Sequence, residues 1–89
     1  MKYTIELVCG KGNTFREFEG TEKGARAYAK NLVTKKGKDE WDANIFENRS
    51  GLLTHVGKMY YDHEKWYYST KKGYYTVNTD GSIRKILWK

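Results

Sequence analysis

Polar and apolar positions alternate from the first residues of this chain. Tyr3, Ile5, Leu7 and Cys9 interleave with Lys2, Thr4, Glu6 and Val8, and a period of two predicts a half-buried strand. Gly10-Lys11-Gly12-Asn13 reads as a flexible turn and Thr14 to Glu19 as the returning strand, so the chain opens on a hairpin. The period then lengthens. Ala25, Tyr28, Ala29, Leu32 and Val33 fall at i, i+3, i+4, i+7 and i+8, one buried stripe of a helix. Thr21 is placed to cap it, Glu22 to sit in the first turn where the helix dipole favours an anion, Lys35 and Lys36 in the last turn, and Gly37 to end it. The small residues on that stripe predict close packing against a sheet.

Beyond Trp41 the pattern is strand and turn only. Ala43 to Asn48 reads as a strand and Asn48-Arg49-Ser50-Gly51 as a turn. Leu52 to Tyr61 is a longer strand with a break expected at Gly57. Asp62-His63-Glu64-Lys65 turns the chain into Trp66 to Thr70, and Lys71-Lys72-Gly73 turns it into Tyr74 to Val77. Asn78-Thr79-Asp80-Gly81-Ser82 is the strongest turn signal, its glycine free to take positive φ, and Ile83 to Trp88 closes the chain. The fold class is therefore α+β. An antiparallel sheet of about five to seven strands is built from an N-terminal hairpin, one helix and a C-terminal β-meander, with the single helix packed on one face. At 89 residues this is one domain, 1–89.

Seven of the fourteen aromatic residues lie between positions 60 and 75, as Tyr60-Tyr61, Trp66-Tyr67-Tyr68 and Tyr74-Tyr75. Successive side chains of a strand point to opposite faces, so a doublet cannot hide both rings on one side. With His63-Glu64 as a two-residue tip, Tyr61 opposes Trp66, Tyr60 opposes Tyr67, and Met59 opposes Tyr68. With Lys71-Lys72 as the next tip, Tyr68 opposes Tyr75, Trp66 opposes Val77, and Ser69 opposes Tyr74. One face then carries Met59, Tyr61, Trp66, Tyr68, Tyr75 and Val77 and makes the better core. The other carries Lys58, Tyr60, Lys65, Tyr67, Ser69, Tyr74 and Thr76, three tyrosines flanked by lysines. A one-residue slip in either turn exchanges the sets. The last hairpin has two registers, Val77 with Ile83 or Val77 with Arg84.

Charge sharpens this picture. Seventeen Lys and Arg against eleven Asp and Glu give +6, unevenly placed at +3 over residues 1–40, -1 over 41–70 and +4 over 71–89. A basic surface favours phosphate-bearing or acidic partners and argues against a nucleic-acid mimic, which would be acidic. Flat rings with interleaved cations are the parts needed to stack bases and hold phosphates, at roughly 1–3 kcal/mol per stacked base. The candidate nucleic-acid-binding residues are Tyr60, Tyr67 and Tyr74 for stacking, with Lys58, Lys65, Lys71, Lys72, Arg84 and Lys85 for phosphates. Two other readings stand beside this one. Tyrosine and threonine suit exposed strands in any case, and tyrosine is enriched at interfaces with a homodimer partner or a target protein.

Other chemistry finds little support. One cysteine and two histidines are too few for a disulfide or a structural zinc site, and no cofactor motif is present. The lone cysteine suits a reducing cytoplasm, the charged opening residues do not form a signal peptide, and no window is apolar enough to span a membrane. Gly10-Lys11-Gly12-Asn13-Thr14 lacks the phosphate-loop spacing and precedes a strand rather than a helix. His55, His63 and Glu64 would have to converge with nearby lysines to make a small ribonuclease, and Asp62 to Lys65 are ordinary residues for a hairpin tip. Cys9 ends an inward-pointing series as a small core residue. Lys23, Arg26, Lys30, Lys35, Lys36 and Lys38 give the helix an exposed basic face, usually a solvated one.

Two resemblances are confined to parts of the chain. Tyr3 to Leu32, with Thr14-Phe15-Arg16-Glu17-Phe18 and Thr21 to Tyr28, resembles the sheet-then-helix arm-binding domain of phage integrases, which implies DNA contact through the sheet. That family sets three strands before its helix, and two precede it here. In outline the small basic domain is similar to bacterial mRNA-cleaving toxins, which begin strand-helix-helix and use an Arg-rich sheet; this chain has one helix and four arginines. Neither assigns a family. The expectation is a non-enzymatic cytoplasmic protein that binds an anionic partner, nucleic acid first. The alternative is a protein-binding inhibitor or accessory factor of a phage or mobile element that acts on a host or defence enzyme.

Overall fold

Among the described residues the chain forms a single seven-stranded antiparallel sheet and one helix. The computed structural model describes residues 1–87. The strands are β1 (Lys2–Cys9), β2 (Gly12–Glu19), β3 (Asp42–Arg49), β4 (Leu52–Asp62), β5 (Lys65–Thr70), β6 (Gly73–Val77) and β7 (Ile83–Lys85), and helix α1 (Glu22–Lys36) lies between β2 and β3. The order across the sheet is β2-β1-β3-β4-β5-β6-β7. Every neighbour is antiparallel, and α1 is the only connection that is not a short turn.

The predicted elements form where the local chemistry puts them. Thr21 accepts a hydrogen bond from the Gly24 backbone N–H at 3.0 Å and so satisfies one of the donors a helix start leaves open. At the other end the Gly37 N–H donates to the Val33 carbonyl, with Gly37 at φ 124°. His63 and Glu64 both take positive φ, 46° and 65°, the geometry of a two-residue turn whose twist matches the flanking strands. Strand β7 ends at Lys85 rather than running on to Trp88, which lies outside the described residues.

The core is the layer between α1 and the sheet. Tyr3, Ile5 and Leu7 of β1, Ala43 and Ile45 of β3, Met59 of β4 and Tyr68 of β5 bury against Ala25, Ala29 and Val33 of the helix. Phe18 of β2 stacks on Tyr28, centroids 5.4 Å apart. The helix crosses β1 to β4, because its alanines let it approach there. Cys9, at the end of the β1 series, is only half-buried.

Arg26 corrects the expected basic helix face. It is 7% exposed, turned inward rather than to solvent. Its Nε donates to the Gly81 carbonyl at 2.8 Å, its Nη1 to the Glu22 carboxylate at 2.9 Å, and its guanidinium lies 5.5 Å from the Tyr68 ring centroid. Burial is tolerable because those partners satisfy the cation. Lys23 pairs with Asp80 at 3.3 Å in the same loop, so the β6–β7 connection is fastened to the first turns of the helix.

Register follows the aromatic doublets. Lys58 pairs with Ser69, Met59 with Tyr68, Tyr60 with Tyr67 and Tyr61 with Trp66. Tyr68 pairs with Tyr75 and Ser69 with Tyr74, and Val77 with Ile83, which selects between the two registers open for the last hairpin. The expected break in β4 is a bulge. Ile45 pairs with Gly57 and Phe46 with His55, so Val56 is the extra residue.

Candidate nucleic-acid interface

The helix covers one face of the sheet and leaves the other open. That open face has two halves of different character. Toward β2, polar side chains satisfy one another. Asn13 and Asn44 donate to the two Glu6 carboxylate oxygens at 2.8 and 3.2 Å, His55 shares a hydrogen bond with Asn44 at 3.1 Å, and Asn48 donates to Thr4 at 3.1 Å. Toward β7 the same face is aromatic.

Tyr60 and Tyr67 are a cross-strand pair and stack, centroids 5.6 Å apart and planes 25° from parallel. Each ring gives one face to the other, so a flat ligand meets the remaining face of one ring or the edge of the pair. Tyr74 lies one row along, opposite Ser69, and is 46% exposed. Tyr60, Tyr67 and Tyr74, with Asp62 and Ile86, line a shallow depression of about 390 Å³. The Tyr60 phenol is raised above its ordinary value, first by burial and then by the neighbouring Tyr74, Asp62, Tyr67 and Asp42.

The basic residues divide. Lys58, Lys65 and Arg84 share the open face, Arg84 in the row of Tyr60, Tyr67 and Thr76. Lys58 is engaged by Asp42 at 3.4 Å, and Lys65 stands opposite Asp62. Lys85 pairs with Tyr75 and so points to the helix side, its chain end over Gly73. Lys71 and Lys72 form the β5–β6 tip and border a different cavity, with Glu22, His55, Val56, Tyr68, Thr70, Tyr75 and Ile83. Among the described residues Lys65, Lys71, Lys72 and Arg84 make no ion pair with a carboxylate. The tyrosine depression thus has cations on its rim and the Asp62 carboxylate in its lining.

His55, in mid-strand against Phe46 and Asn44, and His63, at the hairpin tip 3.6 Å from Asp62, are not brought together. No group of three His, Cys, Asp or Glu side chains suited to a metal ion occurs among the described residues. No helix among them is long and apolar enough to cross a membrane.

No family model, curated protein or solved structure matches this chain. What it can bind must be read from its own surfaces.

One such surface was not legible in the sequence. On the helix side of the β4–β5 hairpin, Lys38 Nζ lies 4.3 Å from the centroid of Tyr61, Lys30 Nζ 5.4 Å from Trp66, and Lys36 Nζ 5.0 Å from Trp41. Tyr61 and Trp66 also pack on each other, centroids 5.3 Å apart. The register placed those rings on the core face, but only the path of the helix shows that lysines cover them.

Proposed function

We propose that this protein is a small non-enzymatic binding module of the cytoplasm that takes nucleic acid with unpaired bases on its open sheet face. The observation that carries the reading is the convergence of Tyr60, Tyr67 and Tyr74 on one depression, beside cations that no carboxylate of the described chain neutralises. Stacking on these rings needs bases free of a duplex, and it needs no sequence code. Lys65 and Arg84 flank the rings for phosphates, Lys58 joins them at the expense of its pair with Asp42, and Lys71, Lys72 and Lys85 add to the field from the adjoining edge. The single half-buried cysteine and the absence of disulfides suit a reducing compartment.

The test is a salt titration of binding to labelled single-stranded and duplex oligonucleotides, read by anisotropy. Affinity that falls steeply with salt and favours the single strand supports the reading. Tyr67→Ala should weaken it without unfolding the domain. No binding at low salt would overturn it.

A second reading has its own observation. Phe15, 52% exposed opposite Glu6, and Leu53, 43% exposed opposite Asn48, extend the apolar surface of the open face away from the tyrosines. Carboxylates of Asp42 and Asp62 lie within it. A mixed-charge face with aromatic anchors fits a protein target, as in an inhibitor or accessory factor encoded by a phage or mobile element. Under that reading affinity follows one protein and depends little on salt.

A further inference from the structure

We propose that the C-terminal end of α1 is a second nucleic-acid contact, a phosphate-binding surface on the opposite side of the sheet from the tyrosines. Its parts are Lys30, Lys36 and Lys38, each held over an aromatic ring, with Lys35 exposed beside them. The proposal shares its ligand class with the reading above and stands on different residues.

Three features favour phosphate over plain solvent. The first is charge. Lys30, Lys35, Lys36 and Lys38 lie within nine residues, and among the described residues none of them is in an ion pair. Asp39 and Glu40 follow directly and leave them unengaged. Of the four lysines, Lys35 and Lys36 lie in the last turn, where the partial negative charge of the helix end favours a cation. The second is preorganisation. A surface lysine ordinarily gives up rotamer freedom when it meets a phosphate. Here Tyr61, Trp66 and Trp41 already restrict the three side chains through cation–π contact, so less is lost on binding. An ammonium resting on a ring still has protons directed away from it.

The third is placement. Tyr60 and Tyr67 occupy one face of the β4–β5 hairpin, while Tyr61 and Trp66, under Lys38 and Lys30, occupy the other. Both surfaces meet at the tip, where Lys65 is exposed. One polynucleotide long enough to pass the tip therefore reaches both.

The experiment measures the dependence of oligothymidylate affinity on salt for five proteins: the parent, Lys30→Gln/Lys36→Gln/Lys38→Gln, its charge-restoring counterpart Lys30→Arg/Lys36→Arg/Lys38→Arg, a control triple Lys2→Gln/Lys11→Gln/Arg16→Gln toward the far edge, and Tyr67→Ala. The control removes the same net charge. Each single-strand phosphate contact contributes about 0.7 to the slope of log affinity against log salt, so the helix triple should lose a slope of about 2 while the control keeps the parent slope. Restoring charge as Lys30→Arg/Lys36→Arg/Lys38→Arg should restore the slope, which separates a lost contact from a loosened fold. An unchanged slope in the helix triple, or an equal loss in the control, overturns the proposal. A silent Tyr67→Ala beside a reduced helix-triple slope would remove the tyrosine site and leave this one.

Discussion

The ring of Tyr68 occupies the space a side chain at Gly57 would need. A Cβ built on Gly57 stands 2.4 Å from Tyr68 Cζ and 2.6 Å from its hydroxyl oxygen, both impossible contacts. Gly57 sits at the β4 bulge, and the missing side chain lets the fully buried Tyr68 ring lie flat on the strand. Gly57→Ala must displace a fully buried tyrosine. It should cost at least about 2 kcal/mol, the range of an overpacked core, read as a lower urea midpoint with an unchanged m-value. Wild-type stability in this variant would mean that the ring does not lie on Gly57.

Tyr68 carries a second consequence. Its hydroxyl is buried and makes no hydrogen bond of good geometry among the described residues. Burial is the main cause holding its proton well above the usual phenol range, Glu22 adds to it, and the neighbouring Arg26 guanidinium pulls it back without giving a well-formed bond. A buried polar group without a partner costs about 1–3 kcal/mol. Tyr68→Phe should therefore keep stability or raise it by about 1 kcal/mol, in contrast to most core substitutions. A loss above about 1 kcal/mol in thermal unfolding would show that the hydroxyl is bonded in solution.

These two residues also show how far the sequence could be read. Alternation in β1, the stripe on α1 with its Thr21 cap, and the doublets of β4 to β6 are local signals, and each predicts an element or a register that forms. The face that gathers Tyr60, Tyr67 and Tyr74 was legible for the same reason, since a two-residue tip fixes every pair behind it. Long-range relationships were not legible. The insertion of β1 between β2 and β3, the inward turn of Arg26 to reach Gly81 fifty-five residues away, and the lysines over Trp66 and Tyr61 depend on where the helix crosses the sheet. Lys85 likewise falls on the far side from the tyrosines, because the last hairpin pairs it with Tyr75.

The fastening of the β6–β7 loop to the helix should behave as one unit. Gly81 has φ 90°, and a Cβ there would meet the Lys23 carbonyl oxygen at 2.3 Å and the Ala27 nitrogen at 2.9 Å. Gly81→Ala combines backbone strain with that clash and should cost about 2 kcal/mol or more. Arg26→Met strands the Gly81 carbonyl and should cost about 1–3 kcal/mol. The double variant should be less destabilised than the sum, because both changes release the same loop. Strict additivity in a double-mutant cycle would show that the two contacts are independent.

The same loop holds a depressed carboxyl on its exposed side. Asp80 is lowered to about 2, first by the hydrogen bond from the Ser82 hydroxyl, then by the Ser82 backbone N–H and by Lys23. A carboxyl depressed in the folded state contributes stability that is present above its unfolded pKa and disappears as pH falls through the folded value. The melting temperature should therefore drop between about pH 4 and pH 2, and Asp80→Asn should flatten part of that drop while leaving the neutral-pH curve shape intact. An identical acid limb in the variant would place the acid sensitivity elsewhere.

Asp62 separates the two readings of the open face. Its carboxylate lines the depression with Tyr60, Tyr67 and Tyr74 and stands opposite Lys65. A phosphate drawn to this site meets repulsion from Asp62, whose carboxylate lies 3.6 Å from His63. Asp62→Asn keeps the shape and removes the negative charge, so affinity for a single-stranded oligonucleotide should rise a few-fold at low salt. That is less than about 1 kcal/mol for an exposed charge in high dielectric. A protein target selected for this mixed-charge face would respond in the opposite direction, since it would lose a complementary partner for the carboxylate. The sign of the change, measured by anisotropy with the same oligonucleotide for parent and variant, decides whether Asp62 is an obstacle in an anion site or a contact in a protein interface.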